Sequence, residues 1–174
     1  MARPPRRGRR SDREIATASP EETRRLAARL GAAAQPGDVV SLRGPLGSGK
    51  TTFVQGFARG AGFKGPVVSP SFGLARRYRA GRRLLHHLDL YRLAGRDLPN
   101  LGLEEYFDDP AGICLVEWPE VAEAALPADR LEVRLEHLGE EERRLRFEGR
   151  GPRAQRLLRA LSAQRLPRGA GPVR

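Results

Sequence analysis

Residues 44–51 constrain the fold of this 174-residue chain more than any other segment. They read Gly-Pro-Leu-Gly-Ser-Gly-Lys-Thr and match the phosphate-binding pattern G-x-x-x-x-G-K-[ST] at every fixed position. An apolar run at residues 39–42 precedes them, and Phe53, Val54 and Phe57 follow at helical spacing. A strand, a glycine-rich loop and a helix in this order predict an α/β protein whose loop turns main-chain N–H groups towards an anion.

The cation of this loop is a lysine in a chain whose basic residues are almost all arginines. Only two of the 32 basic residues are lysines, Lys50 and Lys64. A compact ammonium reaches between phosphate oxygens more readily than a planar guanidinium does. We therefore predict that Lys50 contacts the β- and γ-phosphates of a nucleoside triphosphate, and we count it as a catalytic candidate. The predicted phosphate and metal contacts of the loop are Gly47, Ser48, Gly49, Lys50, Thr51 and Thr52, with the Thr51 hydroxyl on Mg²⁺.

Two acidic residues follow apolar segments elsewhere in the chain. Glu117 ends a run at residues 113–116 that is typical of a buried strand, and we assign it to Mg²⁺, directly or through water. The alternative is a surface glutamate just past a strand. Asp89 is predicted to orient or deprotonate an attacking water. It could instead cap the next turn or pair with Arg92.

Three other features have weaker patterns. Ser69 and Ser71 carry hydroxyls on a loop after the helix, a region that senses the γ-phosphate in many proteins with this loop, although an ordinary turn explains them equally well. His86 and His87 have no partner at metal-ligand spacing, which argues against zinc. Cys114 lies in an apolar run and is expected to be a buried core residue.

The rest of the chain predicts further helices and strands. Ser19 has the position of an N-cap before a helix. Residues 74–78 and 83–88 predict two strands joined by a turn. Residues 130–136 and 143–148 predict a two-stranded antiparallel ribbon with one solvated face. An arginine-bearing helix is expected from residue 153 to residue 166.

Basic charge is concentrated at the two ends of the chain. The formal net charge is +11, with six arginines and one aspartate in residues 1–13 and seven arginines without an acid in residues 149–174. We therefore divide the chain into a disordered basic tail (1–13), one α/β domain (14–148) and an arginine-rich extension (149–174) that is helical in part. The tails either bind RNA phosphates or only add solubility. Because no apolar signal or membrane-length segment is present, we expect a cytoplasmic protein without a membrane partner.

Five segments, taken together and in order, resemble the TsaE family, the small ATPase subunit for bacterial tRNA threonylcarbamoyladenosine biosynthesis. The similarity extends from about residue 19 to about residue 148. The segments are residues 46–52, 69–72, 87–93, 102–107 and 116–120.

This resemblance implies a fold and a set of partners. The fold is a three-layer α/β P-loop NTPase with a mixed, largely parallel sheet and a C-terminal antiparallel ribbon. The ligands are ATP and Mg²⁺. The partners are TsaB- and TsaD-like proteins, which transfer threonylcarbamoyl to tRNA, so that tRNA is an indirect partner and DNA is not one.

The resemblance also assigns site residues. It places Ser71 in a switch-like segment, matches Asp89 to a family aspartate, and adds Trp118 to the nucleotide contacts. It puts residues 19–23 near the adenine. It also points to an arginine at the start of the last hairpin, which is either Arg143 or Arg144.

The loop departs from the family pattern at several positions. Pro45 stands where the family usually has an acid, so the role of that acid is in doubt here. Ser48 replaces a usual alanine, and Ser71 replaces threonine while keeping the hydroxyl.

Other functions remain as alternatives. The first is a P-loop kinase of a nucleoside or small metabolite, which would need a lid with arginines. A regulatory GTPase is disfavoured because Asn-Lys-x-Asp is absent from the sequence. An RNA-binding accessory protein would depend on the tails. Arginines that could imitate a kinase lid are Arg76, Arg77, Arg79, Arg82 and Arg83.

Overall fold

A computed structural model of the protein describes residues 12–70, 73–93 and 102–162, which form an α/β fold around one seven-stranded sheet. Two 3₁₀ helices, Tyr91–Leu93 and Pro119–Ala125, lie in its loops. The other elements are β1 (Asp12–Thr17), α1 (Pro20–Ala33), β2 (Val39–Arg43), α2 (Lys50–Gly60), β3 (Ala75–Ala80), β4 (Arg83–Asp89), α3 (Glu104–Phe107), β5 (Gly112–Glu117), β6 (Arg130–His137), β7 (Arg143–Arg150) and α4 (Pro152–Ala160).

The sheet is mixed, with the strand order β1-β7-β6-β2-β5-β4-β3. The four central strands β6, β2, β5 and β4 are parallel, whereas β7, β1 and β3 pair antiparallel at the two sides. The α/β class expected from the sequence is therefore confirmed, with the parallel pairing confined to the centre. Because parallel strands end at the same edge, the segments after β2, β4, β5 and β6 come together there.

Helical segments cover both faces of the sheet. On one face, α1, α2 and α4 enclose the larger core, which is centred on the fully buried rings of Phe53, Phe57 and Phe147. On the other face, α3 and the 3₁₀ segments enclose a smaller core that includes Cys114. Ser19 caps α1 as predicted, since its hydroxyl accepts a hydrogen bond from the Glu22 N–H at 3.2 Å.

The predicted antiparallel ribbon is present as β6 and β7, but it is not a separate two-stranded unit. β6 also pairs with β2, and β7 pairs with β1, a strand that the sequence pattern did not predict. The prediction that one face of the ribbon is solvated is wrong at the amino end of β6. Arg130 and Glu132 are buried there, and they form an ion pair in which Arg130 Nη2 lies 2.9 Å from Glu132 Oε1.

The last helix packs onto the domain. α4 ends at Ala160, earlier than predicted, and buries Ala154, Leu157 and Leu158 against the larger core. β1 and β7 each extend across a boundary that the charge pattern had placed at residues 13/14 and 148/149. The tails at residues 1–11 and 163–174 lie outside the described residues. No helix in the described part of the chain is both long and apolar enough to cross a membrane.

Candidate functional site

The loop at residues 44–49 connects β2 to α2 at the carboxyl edge of the sheet. Gly44, Gly47 and Gly49 have φ angles of 151°, 74° and 98°, in the region that favours glycine. At Gly44 a side chain is also excluded by space, since a Cβ there would lie 2.4 Å from the Leu135 carbonyl oxygen. The glycines of the motif are therefore required by the course of the backbone, which brings the loop to the N-terminus of α2.

Lys50 is the first residue of α2, and its ammonium is held by the loop itself. Nζ donates to the carbonyl oxygens of Gly44 at 2.7 Å and Pro45 at 2.9 Å. It also lies 4.1 Å from the centre of the Trp118 ring, a cation–π distance. All of these partners are neutral, so a phosphate oxygen would be a stronger partner for the ammonium.

The charge of Lys50 is buried near three carboxylates. Burial lowers the pKa of Lys50 from its ordinary value, and the negative charges of Glu117, Glu120 and Asp89 offset part of that decrease. The acids at this edge therefore help to keep the ammonium protonated in a site that is shielded from water.

Thr51 and Glu117 meet across the gap between α2 and β5. The Thr51 hydroxyl lies 3.0 Å from Oε1 and 3.3 Å from Oε2 of Glu117. Glu117 is only 3% exposed, so it is not the surface glutamate that the sequence had left as an alternative. A hydroxyl and a carboxylate with both oxygens turned towards it are hard oxygen donors, which suit Mg²⁺.

Thr51 and Glu117 could hold a magnesium ion without further protein ligands. The described residues contain no cluster of three or more His, Cys, Asp or Glu side chains placed to hold a metal ion. Mg²⁺ commonly uses one or two protein oxygens and completes its shell with phosphate oxygens and water. Thr51 and Glu117 could supply the protein oxygens of such a site.

Asp89 lies beside Glu117, because the two residues are register partners at the ends of β4 and β5. One carboxylate oxygen accepts from the Ser69 hydroxyl at 2.7 Å, and the other accepts from the Tyr91 N–H at 3.1 Å. The capping role that the sequence left open is therefore present, and Ser69 adds a contact from the preceding loop. Ser71 lies outside the described residues.

Trp118 has an unusual backbone conformation for a large side chain. Its φ and ψ are 57° and 48°, and among the described residues it is the only one other than glycine with a positive φ. In this conformation the indole contacts Lys50 and also the Tyr91 ring, with the two ring centres 4.8 Å apart. Strained residues of this kind cluster at functional sites, where neighbouring contacts hold them.

The structure distinguishes the two arginines that the sequence left open. Arg143 donates from Nε to the Ser48 carbonyl at 3.1 Å and from Nη2 to the Gly47 carbonyl at 3.3 Å. Arg144 is directed away, towards Glu14 at 3.2 Å and Glu136 at 3.7 Å. Arg143 is therefore the arginine in contact with the loop.

The start of α1 follows a strand that pairs with β7 at the same arginine. Thr17 at the end of β1 is the register partner of Arg143 in β7. Residues 19–23 follow directly, and Thr23 is tied back to Thr17 by a 2.8 Å hydroxyl contact. This neighbourhood is consistent with the predicted position of residues 19–23 near a nucleotide base, which stays a prediction.

The contact of His87 with Glu117 was not predicted from the sequence. The Nε2 atom of His87 lies 2.8 Å from Glu117 Oε1, and the imidazole is fully buried. The sequence only argued against a zinc site at this residue and placed it at the start of a segment that resembles the family. The period of two along β4 was the available signal, since it places His87 and Asp89 on the same face of the strand.

These elements define a class of protein. It is a mixed α/β protein in which a glycine-rich loop, a buried lysine and a hydroxyl–carboxylate pair meet at the carboxyl edge of parallel strands. A family model described as "Threonylcarbamoyl adenosine biosynthesis protein TsaE" matches residues 17–145. The chain belongs to the TsaE family of tRNA threonylcarbamoyladenosine biosynthesis proteins.

Individual relatives agree with this assignment. The chain is 43% identical over 146 residues to the TsaE protein of Bacillus subtilis, covering 84% of this chain and 91% of the relative. It is 37% identical over 135 residues to that of Mycobacterium bovis, covering 72% and 79%. The crystal structure of Bacillus subtilis YdiB superposes with a TM-score of 0.76 at 39% identity, covering 88% of this chain and 95% of the other.

Proposed function

We propose that this protein is an ATP-binding, slowly hydrolysing subunit that supports turnover of the complex forming threonylcarbamoyladenosine on tRNA. The observation that carries the proposal is the meeting of Lys50, Thr51 and Glu117 at the end of a glycine-rich loop. One cation and one metal-ligand pair beside a helix N-terminus suit a triphosphate with its Mg²⁺.

Each residue has a distinct role in this proposal. Main-chain N–H groups of residues 47–52 hold the phosphates, and Lys50 leaves its carbonyl partners for the β- and γ-phosphates. Thr51 and Glu117 hold Mg²⁺. The ion supplies positive charge that offsets the charge developing on the transferred phosphoryl group. Asp89, held by Ser69, orients the attacking water.

The fold and the partners are parts of the same proposal. The strand–loop–helix unit in a parallel sheet supports a P-loop NTPase fold. Membership in the TsaE family supports a place beside TsaB- and TsaD-like proteins, which would carry out the transfer to tRNA in the cytoplasm. Hydrolysis by the isolated subunit should be slow, because such ATPases commonly await a partner that completes the site.

Three of the five arginines that could imitate a kinase lid lie away from the loop. Arg83 begins β4, at the opposite end of the strand from Asp89. Its guanidinium is engaged by the carbonyl oxygens of Ala34 at 3.0 Å and Ala61 at 2.6 Å. Arg79 and Arg82 lie near that same end of the hairpin, away from Lys50.

Binding of an ATP analogue, with and without Mg²⁺, tests the proposed function. Glu117→Ala should weaken Mg²⁺-dependent hydrolysis and Mg²⁺-dependent binding more than metal-free nucleotide binding. The matched control is Glu136→Ala, which removes a glutamate near the carboxyl end of β6 that pairs with Arg144 instead. The metal assignment would be wrong if Glu117→Ala lowered both kinds of binding equally.

A pull-down of the full chain, with and without ATP, tests the partner assignment. TsaB- and TsaD-like proteins should be retained, and the amount should depend on the nucleotide. Rapid phosphorylation of a small hydroxyl compound by the purified protein would instead favour a kinase.

A further inference from the structure

β4 carries two consecutive buried histidines that contact carboxylates on opposite faces of the sheet. His86 Nε2 lies 2.7 Å from Asp109 Oδ2, and His87 Nε2 lies 2.8 Å from Glu117 Oε1. The two residues are 1% and 0% exposed. The two pairs have the same chemistry, but Asp109 is partly exposed whereas Glu117 is buried, and their surroundings differ.

The pair of His86 and Asp109 has a structural explanation. Asp109 Oδ1 also accepts from the Ala111 N–H at 2.9 Å, in the turn that leads into β5. That N–H, followed by His86, lowers the pKa of Asp109. The His86 ring meets Tyr106 edge-on, with the ring centres 5.4 Å apart, in the smaller core. This pair therefore ties the turn before β5 to the sheet, far from the loop.

The pair of His87 and Glu117 lies at the site. In the β4–β5 register Glu117 is opposite Asp89, whereas its carboxylate contacts His87, two residues earlier on the same face. The same oxygen, Oε1, also accepts from the Thr51 hydroxyl at 3.0 Å. The imidazole therefore holds the carboxylate that faces Thr51, on the side away from solvent.

A carboxylate needs such a contact to keep one orientation. The terminal torsion of a glutamate is broad, so the two oxygens rotate readily when nothing holds them. A hydrogen bond from a buried donor removes that freedom, and groups that orient metal ligands in this way commonly change metal affinity about 10- to 100-fold.

The imidazole of His87 is itself fixed by packing. The Tyr78 ring lies with its centre 6.3 Å from the His87 ring. The Tyr78 hydroxyl in turn donates to the Val68 carbonyl at 2.8 Å. A fully buried ring in this position has little freedom to follow a carboxylate that rotates.

We propose that His87 is a positioning residue for the metal site. It donates from Nε2–H to Oε1 of Glu117 and holds both carboxylate oxygens towards the Thr51 hydroxyl. His87 thereby increases the affinity of the nucleotide complex for a divalent cation. This inference rests on the proposed function, since it assumes that Thr51 and Glu117 hold Mg²⁺.

The test compares the two histidines with the same substitutions. His87→Leu removes the donor and fills the space, whereas His87→Gln keeps an amide N–H near the position of Nε2. His86→Leu and His86→Gln are the matched controls, because they remove or replace an equally buried histidine on the opposite face. The readout is Mn²⁺ binding to the complex of the full chain with ADP, followed by the loss of the free-ion electron paramagnetic resonance signal.

We expect His87→Leu to weaken Mn²⁺ binding about 10- to 100-fold, while ADP affinity in the presence of EDTA stays within about twofold of wild type. His87→Gln should recover most of the Mn²⁺ affinity. Both His86 variants should bind Mn²⁺ like wild type, although His86→Leu lowers the free energy of unfolding. If His87→Leu does not fold, His87→Asn replaces it, because its shorter amide cannot reach Oε1 from the same backbone position.

Three outcomes would overturn the inference or its basis. Equal Mn²⁺ affinity in wild type, His87→Leu and His87→Gln would show that His87 does not position Glu117. An equal loss of Mn²⁺ affinity in the His86 and His87 variants would show that the effect is general destabilisation. A wild-type protein that binds ADP but shows no Mn²⁺ binding would instead refute the metal site of the proposed function.

Discussion

The buried charges at the two ends of β2 have different kinds of partner. At the amino end, Asp38 is 1% exposed and accepts from the Gln35 N–H at 2.7 Å and from the Arg156 guanidinium of α4. At the carboxyl end, Lys50 is 5% exposed and donates to two loop carbonyls, while no carboxylate among the described residues forms an ion pair with it.

This difference indicates that the amino end of β2 serves stability and that its carboxyl end serves binding. The charge of Asp38 has a fixed counter-ion within the fold, and that ion pair holds α4 against the sheet. The charge of Lys50 is held by neutral groups that a more strongly interacting anion can replace. Substitutions at the two ends should therefore separate stability from nucleotide affinity.

The largest expected effect is a loss of stability at the amino end. Asp38→Ala leaves the Arg156 guanidinium without its buried partner and should lower the free energy of unfolding by about 3 kcal/mol. Urea unfolding measures this loss. Glu21→Ala is the control, because Glu21 is an exposed acid that pairs with Arg24 on the surface of α1. Reduced triphosphate affinity in a folded Asp38→Ala protein would show that the two ends are not independent.

At the carboxyl end we expect a substitution to lower nucleotide affinity while changing the free energy of unfolding little. Lys50→Ala should weaken ATP binding about 100-fold, since it removes a charge-assisted contact to phosphate, and should change the free energy of unfolding by no more than about 1 kcal/mol. Isothermal titration calorimetry and urea unfolding measure the two quantities. Lys64→Ala is the matched control, because Lys64 is the other lysine of the chain and is exposed. Unchanged ATP affinity in Lys50→Ala would refute the site.

A smaller effect should distinguish the two neighbouring arginines of β7. Arg143→Ala removes two donors from the carbonyls of Gly47 and Ser48, so the loop loses part of its preorganisation and ATP affinity should fall about 10-fold. Arg144→Ala should leave that affinity unchanged, because its contacts are Glu14 and Glu136. Equal losses in the two variants would mean that general charge, rather than the loop contact, sets the affinity.

The smallest expected effect is a pH dependence away from both ends of β2. The pKa of Asp109 is lowered from 3.8, so its ionised form stabilises the folded state above that value, and the contribution is lost as the pH falls through the lowered pKa. Asp109→Asn should therefore be less stable than wild type at about pH 5, and the difference should shrink below about pH 3.8. Urea unfolding at both pH values measures it, and a difference that grows on acidification would contradict the assignment.

Much of the fold followed from contiguous patterns. The motif at residues 44–51 predicted the loop between β2 and α2, Ser19 predicted the start of α1, and the apolar run before Glu117 predicted β5. These features depend on neighbours within a few residues, so local preferences are sufficient to indicate them. β1 was missed because half of its residues are charged and it became a strand by pairing with β7.

The candidate site was likewise predicted from the sequence only in part. The residue types for phosphate and metal contacts were visible in the sequence, since glycines, a lysine, a hydroxyl and a carboxylate have recognisable spacing. The contacts of His87 with Glu117 and of Arg143 with the loop were not. They join residues 30 and 95 positions apart in the chain, and the strand order decides which of them meet.

The sequence by itself determined the class of fold, the glycine-rich loop and the kinds of chemical group beside it, because backbone freedom and side-chain chemistry belong to individual residues. The tertiary structure alone decided which of two histidines meets Glu117, which of two arginines meets the loop, and that α4 is locked to β2 through Asp38. Those outcomes depend on strand register and face, which arise only when distant segments pair and pack.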